Sequence, residues 1–257
     1  MKAQLKLFCG FLALALGGQA SAGPTWILTG SSSDVSVSAY ANTGGTNNHA
    51  NAASNGAAQT IQAATLVPYG GGLGITNADA CNWGHYCDRK ETNTPEHSID
   101  NQQRYDMALL TFADQVKLTE VGIGWVSNDS DITVLAYTGN DPFALNTNLM
   151  GLTYGQLVGS GWTAIGNYSD VGNWGTKSIN SEGAFSSYWL IGAYNPLAAP
   201  SGGAVTGNGS SYDYVKLYSV TGDLLPPLRI GVPEPSSWAL TGLALIALIG
   251  LRKRRPS

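Results

Sequence analysis

Short apolar runs that alternate residue by residue with small polar side chains recur along most of this 257-residue chain. In the stretch 34–40, Val35, Val37 and Ala39 point one way while Ser36, Ser38 and Tyr40 point the other. In 131–137, Ile132, Val134 and Ala136 share one face. A repeat of two belongs to a β-strand with one buried side, whereas an amphipathic helix repeats near 3.6. Strands are accordingly predicted at Trp26 to Thr29, Val35 to Tyr40, Ile61 to Val67, Met107 to Phe112, Val116 to Trp125, Ile132 to Tyr137, Trp162 to Tyr168, Tyr188 to Tyr194 and Tyr212 to Val220. Gly, Ser, Thr and Asn crowd the intervals, which is turn chemistry. One interval differs: Leu149, Leu152 and Leu157 fall near helical spacing, predicting a short helix within Leu149 to Val158.

That pattern predicts an all-β fold, an antiparallel β-sandwich of jelly-roll type, with a closed barrel as the alternative. Two segments lack strand signals. Asn42 to Gly56 is polar, small and aperiodic, and reads as a mobile excursion. Asn77 to Asn101 is too long for a tight connection and reads as a surface insertion.

The two ends are unlike the middle. Lys2 and Lys6 precede an apolar run from Leu7 to Leu16, and Ala20-Ser21-Ala22 offers small residues to a signal peptidase. This is the layout of a secretory signal peptide cut after Ala22. At the other end Pro233-Glu234-Pro235 leads into an apolar stretch from Trp238 to Leu251, closed by Arg252, Lys253, Arg254 and Arg255. Fourteen helical residues rise about 21 Å, short of a hydrocarbon core about 30 Å thick. The basic cluster acts as a stop-transfer signal and favours a cytoplasmic C-terminus. The domain reading is therefore a leader at 1–22, a β-sandwich body at 23–228, and a C-terminal signal at 229–257 whose hydrophobic helix covers 237–251.

Pro-Glu-Pro, a short apolar helix and a basic end, in that order over Val232 to Ser257, resemble the PEP-CTERM sorting signal of Gram-negative bacteria. The resemblance implies recognition and processing by an exosortase-type transpeptidase. It also implies an exported protein, held in the membrane by its C-terminal helix and then passed to the cell surface or beyond. The two prolines suit this role, because they hold Glu234 in extended backbone that a protease-like site can engage. Within the body, NDSDITVLAYTG from Asn128, SGWTAIGNYSDVG from Ser160, SYWLIGAYN from Ser187 and DYVKLYSVTG from Asp213 resemble exosortase-dependent surface proteins. That resemblance implies an extracytoplasmic surface or matrix protein with no established activity, and it supplies no catalytic residues.

Charge narrows the partners. Outside the leader and the basic tail, seven Lys and Arg face all 17 Asp and Glu, a balance near −10. Such a body is unsuited to nucleic acid. Two of its residues are cysteines, Cys81 and Cys87, and in an oxidising compartment they are expected to form a disulfide. His85 between them and His97 beyond them do not make a standard zinc spacing.

Candidate chemistry is sparse. Asp129 and Asp131, two apart at a strand start, and Asp100 and Asp106, around the turn before Met107, are oxygen donors of the kind calcium takes. No EF-hand loop and no G-x-S-x-G elbow occurs. Among Trp83, Trp125, Trp162, Trp174 and Trp189, the apolar settings of Trp125 and Trp189 predict core positions. Trp83 and Trp174 sit in polar loops and are the candidates for contact with an envelope polysaccharide. The expectation is a non-enzymatic surface protein, with a carbohydrate-binding module, calcium-dependent or not, as the alternative.

Overall fold

The computed structural model describes residues 23–45, 57–77, 94–95, 97–199 and 212–226. The leader, the C-terminal signal with its hydrophobic helix, both cysteines, His85 and Trp83 lie outside the described residues. Among the described residues no helix is long and apolar enough to cross a membrane.

The chain runs β1 (Thr25–Ile27), β2 (Val35–Gly44), β3 (Thr60–Ala63), β4 (Thr65–Tyr69), β5 (Gly72–Thr76), β6 (Ile99–Asp100), β7 (Asp106–Asn128) and β8 (Ile132–Tyr137). It continues through α1 (Leu145–Asn148), β9 (Trp162–Tyr168), β10 (Gly175–Ser178), β11 (Ser186–Ala193) and β12 (Asp213–Leu224). The fold is all-β and the pairings between these strands are antiparallel. Hydrogen bonding joins them in one ladder, β4-β5-β12-β7-β11-β8-β9, with β2 and β10 also on β7, β1 and β6 also on β12, and β3 on β2.

The sequence reading expected two separate sheets. Instead β7, 23 residues long, serves both halves. Its first part pairs with β2 and β11, and its second with β12 and β10. Between them Ala113, Asp114 and Gln115 are exposed. The halves pack on each other all the same: Ala108, Leu110, Val134 and Trp189 from one half share a core with Val121, Ile123, Val215 and Leu217 from the other. The molecule is a sandwich by packing and a single sheet by connectivity.

A second core covers the other side of the β8–β11 half. Met107, Leu109, Leu135 and Leu190 point there and meet Leu149, Tyr154, Leu157 and Trp162. This explains why every residue of β8 is buried, since both of its faces are covered. The expected helix over Leu149 to Val158 is instead α1 followed by two short 3₁₀ turns at Tyr154–Gln156 and Val158–Ser160. Gly151 at φ 79° interrupts it and Gly161 at φ 97° ends the second turn, positions where left-handed backbone suits glycine. Asn42, expected in a mobile loop, is buried inside β2, where its Oδ1 accepts from the Tyr105 N–H at 2.8 Å.

Candidate functional site

Where β7 ends and β8 begins, the chain places several carboxylates in a small volume. Asn128 adopts a left-handed φ of 64°, a conformation asparagine tolerates well. It turns the chain so that Asp129 bridges to Asp213 at the start of β12. The Asp131 N–H donates to Asp213 Oδ1 at 2.8 Å. From the β9–β10 connection, the Asp170 N–H donates to Asp131 Oδ1 at 2.9 Å, and the Gly172 N–H donates to Ser130 Oγ at 3.0 Å. Three chain segments therefore meet through side-chain to backbone bonds, the usual work of Asp and Ser in turns.

Asp129, Asp131 and Asp170 each offer a carboxylate oxygen within 4.8 Å of the others. Asp131 is buried, Asp129 half-buried and Asp170 exposed. Beside them Asp213 is 2% exposed and clamped by Asn101, whose Nδ2 donates to Asp213 Oδ2 at 2.6 Å and whose Oδ1 accepts from the Asp213 N–H at 2.9 Å. Burial pushes the Asp213 carboxyl up to about 7; the Asp131 N–H opposes this, and the charges of Asp131 and Asp129 add to it. Burial also raises Asp131, against the hydrogen bond from Asp170 and with the charges of Asp129 and Asp170 adding to the rise. Lys177 partly offsets that rise from its place on β10, where its ammonium donates to Ser169 O at 2.6 Å. An arrangement of oxygens that raise one another's proton affinity is one that a hard cation relieves.

The four aspartates named from sequence do not converge. Asp129 and Asp131 enter the cluster. Asp100 and Asp106 do not: Asp100 is buried in β6 and accepts from the Gln102 N–H at 2.9 Å, while Asp106 is buried and accepts from Asn77 Nδ2 at 2.7 Å. Asp170 and Asp213 were missed, because they lie some 40 and 80 residues away in sequence and reach the site only through strand pairing. The one local hint for Asp170 was the turn-forming run Ser169-Asp170-Val171-Gly172.

The tryptophans divide as well. Trp162 and Trp189 are fully buried. Trp125, expected in the core, is half-buried on the outer side of the sheet, with the Lys216 ammonium 4.5 Å from its ring. The same ammonium lies 3.9 Å from the Tyr69 ring, and burial lowers its pKa. Trp174 is 61% exposed and packs edge-on against Tyr218, with ring centroids 5.0 Å apart. Of the three histidines, His97 lies among the described residues; its ring lies 4.6 Å from that of Tyr69, tilted by 42°, and is 3.2 Å from the Thr94 hydroxyl.

Residues 231–255 fit the model of the PEP-CTERM protein-sorting motif. No curated protein matches the chain.

Proposed function

We propose that this chain, which ends in a PEP-CTERM protein-sorting motif, is an exported envelope protein whose β body is displayed at the cell surface and binds or scaffolds there without catalysing a reaction. The observation that carries the reading is the match at 231–255. The motif makes the chain a substrate of an exosortase-type enzyme sorted at the cell envelope. The fold supports a display role. β12 is bonded along its length to β7 and brings the chain out at Leu224, which is exposed. From there to Pro233 nine residue steps reach at most about 32 Å. The body is thus kept close to the segment to be processed.

The experiment removes Pro233, Glu234 and Pro235 and compares the C-terminus of the protein recovered from its native cell. The expected result is an unprocessed tail and retention in the membrane fraction. A mature C-terminus identical to that of the parent chain contradicts the reading.

A second reading rests on Asp129, Asp131 and Asp170. Their spacing suits a calcium ion, with backbone carbonyls and water supplying the remaining oxygens of the six to eight that this ion takes. On this reading the ion ties together the ends of β7 and β9 and the start of β8, and the body is a calcium-stabilised module for envelope polysaccharide.

A further inference from the structure

Strand register identifies one outer sheet face on which Thr25, Ile27, Trp174, Thr176 and Ser178 are exposed. Trp26 pairs with Val220 and both enter the core. Their neighbours Thr25, Ile27, Ser219 and Thr221 must then point outward, because side chains alternate along a strand. Ser219 pairs with Gly122 and Thr221 with Glu120 on β7. Gly122 in turn pairs with Thr176, and Glu120 with Ser178, on β10. Four adjacent strands, β10, β7, β12 and β1, therefore present one outer surface, about 14 Å across at roughly 4.8 Å per strand.

The chemistry of that surface is specific. Its floor is tightly closed, with Gly122 and Gly124 buried beneath the Ser219 hydroxyl and the Gly71 backbone. A Cβ on Gly122 would lie 2.3 Å from Ser219 Oγ, and one on Gly124 would lie 2.3 Å from Gly71 O. Trp174 and Tyr218 stand at one end, and Ile27 is 44% exposed at the side. Between them lie hydroxyls, with Thr25 and Thr221 joined at 2.8 Å. Among the described residues charge is nearly absent. Glu120 contributes one carboxylate, and in the next row Lys117 and Asp223 neutralise each other at 2.9 Å. Lys216 lies beyond the face, against Tyr69 and Trp125.

We propose that this outer face is a docking site for a neutral polysaccharide. The rings of Trp174 and Tyr218 take the apolar C–H faces of the sugars, and the Thr and Ser hydroxyls exchange hydrogen bonds with sugar hydroxyls. Among the described residues a polyanion finds no free cation on the face and meets Glu120. A protein partner would need a contiguous apolar centre, and here two rings and one isoleucine are set among five hydroxyls. The site deepens the surface-display reading and rests on it only for where the ligand is met.

Trp174 supplies a sharp test, because it holds a left-handed φ of 53° that glycine adopts without strain. The full chain, purified in detergent, is run in affinity electrophoresis through soluble β-glucan and mannan and co-sedimented with cellulose, with polygalacturonate as the charged comparator. Retention by at least one neutral polymer is expected. Trp174→Gly and Tyr218→Ala are expected to weaken it about tenfold or more, while Trp174→Gly melts at the parent temperature or above. Thr176→Glu, at an exposed edge, is expected to weaken it too. No retention by any of the three neutral polymers, undiminished binding by Trp174→Gly, or stronger retention by polygalacturonate overturns the site. Normal C-terminal processing alongside failed binding removes this site and leaves the sorting reading standing; binding without processing does the reverse.

Discussion

Asp213 shows how a buried side chain ties stability to solution conditions. Its carboxyl is pushed up to about 7 in the folded chain, against about 3.9 when unfolded. Between those values the folded state keeps a proton that the unfolded state has released, so stability falls as pH rises from about 4 to about 7 and levels off above. The loss approaches roughly 4 kcal/mol at 1.36 kcal/mol per pKa unit. Thermal melts in EDTA are expected to show a lower midpoint at pH 8 than at pH 5. If Asp129, Asp131 and Asp170 hold calcium, excess Ca²⁺ raises the midpoint most at pH 8, and Asp129→Asn with Asp131→Asn abolishes that rise. A midpoint that climbs steadily from pH 5 to pH 8 in EDTA contradicts the assignment of Asp213. Half of this cluster was legible from sequence because Asp129 and Asp131 are neighbours on one strand start. The other half was not, since only the pairing of β12 with β7 and the β9–β10 turn brings Asp213 and Asp170 to them.

The same division holds among the elements. Strands with one buried face announced themselves through alternation, and β8 and β9 lie at the predicted residues. β7 was read as two strands because Ala113, Asp114 and Gln115 break the apolar pattern, yet they are the exposed stretch where one strand passes between the two halves. β5 and β10 were missed. Gly72-Leu73-Gly74-Ile75-Thr76 hides its strand behind glycines that let it approach β12, and Gly175-Thr176-Lys177-Ser178 is a polar edge strand with no apolar signal. Close approach also makes a prediction in the interior. On β11, a Cβ at Gly192 would lie 2.1 Å from the Asp106 backbone oxygen. Gly192 pairs with both Met107 and Thr133, so neither neighbour can withdraw without disturbing a ladder. Gly192→Ala is expected to cost about 1–3 kcal/mol, as overpacking of a tight interior does, measured by urea unfolding. A change below about 0.5 kcal/mol would show that β11 shifts between β7 and β8 more freely than this ladder allows.

At the scale of the whole molecule, the start and the end of the described body lie together. The Gly222 N–H donates to Pro24 O at 3.1 Å, and a Cβ on Gly23 would run into Gly222. A leader cut after Ala22 would leave Gly23 as the first residue, tucked beside the strand that leads to the sorting motif. Address and body are thus separate stretches of the chain: the motif lies at 231–255, and the acidic β body precedes it. The address was legible because it is written in a contiguous run of residues, whereas the outer face of β10, β7, β12 and β1 exists only once register is known. The most direct test of the account is the intact mass of the protein isolated from the envelope of its native cell. A mass lacking residues 1–22 and truncated within or just before 231–255 is predicted; the uncut 257-residue mass, recovered from the cytosol, would contradict it.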